Sequence, residues 1–150
     1  MANAYLKQNA LVGGGGGSNK VVASFWGARG ATGEGVPDKA VCASCDPDYF
    51  TYDSSTKKFT VVQPCMVNIA VFVRGSRTSG GVARDAGFRF FRKTTGSTTA
   101  ILTGTGTTAG YRYDINSVTL LANDVLYIQI YSVIDGPNTM TAGFSVEVTT

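Results

Sequence analysis

The residues best equipped for chemistry are three cysteines. Cys42 and Cys45 share one short step, VCASCDPDYF, and Cys65 stands alone further on. A thiol becomes a nucleophile when a neighbouring base or positive charge draws off its proton. This chain has His 0, which removes Cys-His and Ser-His-Asp systems, a histidine general base and a histidine metal ligand. Paired carboxylates remain formally open, but the acids are Glu34, Glu147 and eight aspartates. Most of those aspartates sit in turn-like contexts such as PDK, DPD, YDSS, NDV and IDGP. No residue is nominated as catalytic, and the chain is expected not to be an enzyme. A structural zinc ion takes four Cys or His ligands, and only Cys65 is left to join Cys42 and Cys45. The CASC step therefore reads either as a disulfide or as reduced thiols in a loop, the default in a reducing cytoplasm. Cys65, next to Pro64 at the start of an apolar run, reads as a small buried hydrophobe. No metal and no cofactor is expected.

The cations offer a second kind of chemistry. Net charge is +3, and six of the 13 Lys and Arg lie between Arg74 and Lys93, with Asp85 among them. Phe88, Phe90 and Phe91 are interleaved, as in single-strand nucleic-acid grooves. The competing reading is a strand, GFRFFRKTTG, whose phenylalanines face a core or a partner while Arg89 and Arg92 stay in water. It is preferred because phosphate recognition needs many cations on one surface. Nucleic acid is not an expected partner.

The elements that position these groups are strands. Among 150 residues there are 18 Thr, 16 Val and 6 Ile against 6 Leu, and 19 Gly supply turns. Side chains branched at Cβ suit a pleated surface better than a helix. From Lys20 onward KVVASFW, FTYDSSTKKFTVV, MVNIAVFVR, GFRFFRK, TTAILTG, YRYDINSVTLL, VLYIQIYSV and MTAGFSVEV read as strands parted by turn signals. In MVNIAVFVR, Val67, Ile69, Val71 and Val73 share one face, and Met66, Asn68, Ala70 and Phe72 the other. About nine to ten short strands without a helical period predict an all-β antiparallel sandwich of jelly-roll type. No apolar run approaches the roughly 20 residues that cross a bilayer, so no membrane insertion is expected.

Ahead of this domain, residues 13–18 form an unbroken glycine run closed by Ser18. It is either a flexible tether reaching on the order of 13 Å or a glycine strip packed on a partner's backbone. Three parts result: residues 1–12 as an N-terminal peptide, 13–18 as linker and 19–150 as the head domain. The opening MANAYLKQNALV has one lysine and no continuous apolar core, so it does not read as a secretory signal. Its Tyr5, Leu6, Leu11 and Val12, with Lys7 at the rim, are the candidate anchor to a partner. A frayed terminus is the plainer alternative.

Four segments in order carry a family resemblance. YDSSTKKFTVVQPCMVNIAVFV resembles the opening of the complement globular-head and tumour-necrosis-factor-like jelly roll, close to Y-D-x-x-T-G-K-F-T-x-x-x-P-G-x-Y-x-F. Tyr52, Asp53, Thr56, Lys58, Phe59, Thr60 and Pro64 match. Lys57 and Cys65 stand where glycine is usual, and Val67 and Ile69 where aromatics are usual. GFRFFRKTTG looks like the following strand and hairpin. SVTLLANDVLYIQI is similar to S-x-x-L-x-L-x-x-G-D-x-V-x-L, with Asn123 for glycine and Asp124 kept, and Gly143-Phe144 matches the closing G-F. The resemblance implies a binding or assembly module and a homotrimer. The strand VLYIQIY permits the latter, with Leu126, Ile128 and Ile130 on one face and Val125, Tyr127, Gln129 and Tyr131 on the other. A strand apolar on both faces is covered on both. Tyr127, Tyr131 and Phe72 are therefore expected near the threefold contact, against a solvent-facing sheet as the alternative.

The chain shows no collagen repeat and no N-x-Ser/Thr acceptor. A trimeric head behind a short peptide and a glycine linker suggests a bacteriophage virion protein, made in the bacterial host cytoplasm. The leading expectation is a head decoration or head fibre held to the capsid, or another virion protein, by its N-terminus. The alternative is a tail or baseplate receptor-binding protein for host adhesion. Its glycan or protein site would lie in distal loops near residues 75–84 and 103–110.

Overall fold

The computed structural model describes residues 19–29, 33–75, 77–79, 82–84, 86–106, 110–132 and 140–149. Residues 1–18, which hold the expected anchor and linker, lie outside this set. Thirteen strands and no helix occupy the described residues. The first five are β1 (Lys20–Arg29), β2 (Gly33–Gly35), β3 (Lys39–Cys45), β4 (Phe50–Asp53) and β5 (Lys58–Val61). Next come β6 (Cys65–Gly75), β7 (Arg77–Ser79), β8 (Val82–Arg84), β9 (Ala86–Thr94) and β10 (Ser97–Gly106). The chain ends with β11 (Tyr111–Leu120), β12 (Val125–Ser132) and β13 (Met140–Val148).

Two antiparallel sheets form a sandwich. One runs β11-β6-β13-β1-β3; the other runs β10-β9-β12-β5-β4, with β2 also paired to β12. The short β7 and β8 pair as a separate ribbon. Three elements go beyond the expected nine to ten strands: β2, the β7–β8 ribbon, and β3, which places the CASC step on a strand instead of in a loop.

Alternation decides which side chains the sheets enclose. In β6, Val67, Ile69, Val71 and Val73 are all buried, matching their shared face in the sequence. Ala142, Phe144, Val146 and Val148 of β13 do the same beside them, and Phe88, Phe90, Leu126, Ile128 and Ile130 come from the opposite sheet. Aromatic rings tie the two layers together. Phe144 stacks on Phe25 at 5.2 Å and meets the edges of Phe90 at 4.9 Å and Phe59 at 5.5 Å. Each tilted pair adds about 0.5–1.5 kcal/mol beyond the area it buries.

Turn chemistry closes the strands. The β4–β5 turn is held by Asp53, whose Oδ1 accepts from the Ser55 backbone N–H at 2.8 Å and the Ser55 hydroxyl at 2.6 Å. Those bonds hold its carboxyl below the usual range. Lys57 in that turn has φ 58°, and Asn123 before β12 has φ 71°. Both therefore occupy left-handed backbone, which explains why the resembling family pattern carries glycine at each. Asp46 anchors the end of β3. Its N–H donates to the Val22 carbonyl at 2.8 Å and its carboxylate pairs with Lys20. The Lys20 hydrogen bond is the main reason the Asp46 carboxyl lies low.

Candidate functional surfaces

The basic strand divides its residues between two faces. Phe88 and Phe90 of β9 are fully buried, whereas Arg89 is 51% exposed and lies 3.4 Å from Glu34 of β2. Arg92 does not stay in water. Its side chain is 23% exposed and donates through Nε at 3.0 Å and Nη2 at 2.7 Å to Oδ2 of Asp124, itself 4% exposed. The same oxygen accepts the Leu121 N–H at 2.9 Å, so this carboxylate fixes the turn that launches β12. The Asp kept from the family pattern is thus a structural latch. Sequence reasoning missed its partner, because Arg92 and Asp124 are far apart in the chain and meet only when β9 pairs with β12.

The three aromatic residues expected at a subunit contact do not share a surface. Tyr127 and Tyr131 point outward from β12, and Phe72 points outward from β6 in the other sheet. These are opposite faces of the sandwich, so no single flat contact gathers all three. Tyr127 is also already covered. It is 8% exposed, stacks on Phe91 at 5.0 Å, and carries the Lys58 ammonium 4.5 Å over its ring. At Tyr127 the second face of VLYIQIY is therefore covered by side chains of this chain's own β9 and β5, while Val125, Gln129 and Tyr131 on that face stay part-exposed. Tyr131 lies across Gly87, where an added Cβ would come within 1.9 Å of the phenol ring. Tyr131 also borders a pocket of about 230 Å³ with Phe88, Arg89, Thr103, Gly104 and Thr105.

The face around Phe72 is different. Strand register places Val41, Trp26, Gly143 and Phe72 in one row across β3, β1, β13 and β6. The adjacent row is Ser44, Ser24, Ser145 and Ala70. Ser24 and Ser44 share a 2.7 Å hydrogen bond, and Ser24, Ser145 and Ala70 are buried although they face out of the sandwich. A row of small side chains thus runs beside Trp26 and Phe72, with Val41 (48% exposed) at its margin and Met66 (46% exposed) further along β6 beyond Asn68. Trp26 was not singled out in the sequence, although the alternation of KVVASFWGAR sets it opposite in facing to Phe25.

Burial holds the thiols toward their protonated form. Burial, reinforced by the adjacent Cys45, pushes Cys42 up to about 11, and burial raises Cys45 and Cys65 as well. All three are reduced. Cys42 and Cys45 belong to β3 and Cys65 to β6, with β1 and β13 between them. At roughly 4.8 Å per strand this puts Cys65 about 14 Å away, too far to join the pair at one ion. Among the described residues no group of three or more Cys, Asp or Glu is placed to hold a metal.

The described strands define a class of fold: a two-sheet jelly-roll sandwich, tumour-necrosis-factor-like in its fold. The solved structure of the Eiger TNF from S. frugiperda shares it, with a TM-score of 0.53 over 87% of this chain and 92% of that one. Identity between the two is 10%, so the likeness is one of fold. No protein-family model matches the chain, and no curated protein matches it.

Proposed function

We propose that the chain is a non-enzymatic jelly-roll module that assembles as a homotrimer and serves as a bacteriophage head decoration or head fibre, attached by its N-terminal peptide. The observation that carries the assembly is the outward face of the β11-β6-β13-β1-β3 sheet. Trp26, Phe72 and Val41 border a strip of small residues there, the mix of aromatic anchors and close-approach sites found in subunit contacts. Phe72 keeps its expected role in this reading. Tyr127 and Tyr131 lie on the other face, so a contact through this sheet does not use them.

The virion setting is supported by the organisation of the sequence. A short peptide with Tyr5, Leu6, Leu11 and Val12 precedes a glycine run and then the head. One such peptide buries little area and binds weakly, since ordering offsets most of the gain. Three on one trimer reinforce one another, and tethering raises avidity by roughly 10²–10⁴ when the linkers span the sites. Deleting residues 2–12 from the gene should therefore leave particles without the protein, scored by quantitative mass spectrometry of purified virions. Full occupancy on such particles would place the anchor in the head domain instead.

A second reading is favoured by one observation, the pocket beside Thr103, Gly104 and Thr105. Its hydroxyls, the Arg89–Glu34 pair and the Tyr131 ring suit a polyol, as a tail or baseplate adhesin for a host glycan would require. Binding of host cells by residues 19–150 alone would favour this reading over capsid decoration.

A further inference from the structure

Two cysteines three positions apart in a regular strand point to opposite faces and stand about 10 Å apart. β3 breaks that rule. Its register against β1 runs Cys42 to Phe25, Ser44 to Ser24 and Cys45 to Ala23, with Ala43 left over at a bulge. The extra residue turns Cys42 and Cys45 to the same inward face, opposite Phe25 and Ala23, which are both buried. Residues two apart on β1 are separated by about 6.6 Å. The bulge therefore brings the two cysteine backbones into the range of about 4.4–6.8 Å that a disulfide spans. The side chains complete the arrangement. Cys42 Sγ donates to the Ser44 carbonyl at 3.4 Å and Cys45 Sγ donates to the Phe50 carbonyl at 3.3 Å, and the two thiols lie near enough for Cys45 to disfavour a negative charge on Cys42. Both are only half-buried, on the edge strand of their sheet.

We propose that Cys42 and Cys45 are a pre-positioned thiol pair that closes into an intrachain disulfide when the chain meets a small-molecule disulfide oxidant, pinning the β3 bulge. The thiolate of one cysteine attacks a sulfur of the oxidant R–S–S–R, forming a mixed disulfide and releasing RS⁻, which takes up the proton lost by the cysteine. The second cysteine, deprotonated in turn, attacks the protein sulfur of that mixed disulfide and expels the second RS⁻. Two thiols are oxidised, one oxidant disulfide is reduced, and two RSH molecules leave. Closing the bond fixes the register of an edge strand whose Val41 borders the outward face of the sheet. An edge strand is where pairing is otherwise easiest to lose. The proposal is independent of the assembly reading, since it concerns only the pairing of β3 with β1.

The test is equilibration of the full reduced chain with mixtures of oxidised and reduced glutathione. Remaining thiols are then blocked by alkylation and the peptides mapped by mass spectrometry. The expected product is a peptide containing Cys42 and Cys45 that has lost two hydrogens and carries no label, with Cys65 fully alkylated. The fraction bridged at a given glutathione ratio should be at least about tenfold more favourable, as an equilibrium constant, for the folded chain than in guanidinium, about 30 mV in potential. The variant Cys42→Ser should instead hold glutathione at Cys45. Equal constants folded and unfolded, stable glutathione on both cysteines of the native chain, or a bridge involving Cys65 would each overturn the proposal.

Discussion

Phe144→Ala should lower the unfolding free energy by about 3–5 kcal/mol, the range for emptying a large aromatic site in a closed core. Phe144 is 1% exposed and touches Phe25 in its own sheet and Phe59 and Phe90 across the sandwich. Its ring is thus the meeting point of β1, β5, β9 and β13. Removing it costs the transfer of a buried ring and leaves a void that both sheets would have to move together to fill. Urea titration followed by tyrosine and tryptophan fluorescence measures the loss, provided the slope with denaturant is unchanged. A loss below about 1 kcal/mol would mean that the sheets repack freely and that the aromatic cluster does not hold them in register.

Asp124→Ala should cost about 3 kcal/mol, near the lower end for breaking a buried ion pair because Arg92 keeps some contact with water. One oxygen, Asp124 Oδ2, accepts from Arg92 Nε, Arg92 Nη2 and the Leu121 N–H. Its removal leaves a largely enclosed guanidinium and a backbone donor without their acceptor, the costly side of hydrogen-bond bookkeeping. Asp124→Asn keeps an acceptor oxygen but not the charge, and should fall between alanine and the wild type. The same urea titration separates the three chains. If asparagine proved as damaging as alanine, charge rather than hydrogen bonding would dominate the latch.

Much of this fold was legible because its strands obey a two-residue period. MVNIAVFVR and VLYIQIY displayed their inward faces plainly, and the turn residues marked the ends. β3 escaped because its side chains are small and because a bulge destroys the alternation that identifies a strand. β2, with the sequence GEG, carries no periodic signal at all. The family-like positions Lys57 and Asn123 looked like departures in the sequence, yet the backbone there keeps the left-handed turn that glycine normally serves. The candidate contact was harder to read. Tyr127 looked uncovered because strand order is not written in one strand; only the pairing of β12 with β9 brings Phe91 beside it, and with β5 brings Lys58 above it. Phe72 and Trp26 share a surface for the same reason, through β13 and its Gly143 between them.

The central claim, that this jelly roll is an assembly module joined through the outward face of the β11-β6-β13-β1-β3 sheet, is tested most directly by sedimentation equilibrium. The full chain should be run beside its Val41→Arg variant. Val41 stands 48% exposed on that outward face beside Trp26, so an arginine there is accommodated by the folded monomer but not by a close contact between copies. The account predicts a trimer for the wild type and a folded monomer, with an unchanged β-sheet circular dichroism spectrum, for the variant. A wild-type chain that sediments as a monomer, or a variant that remains trimeric, would contradict it.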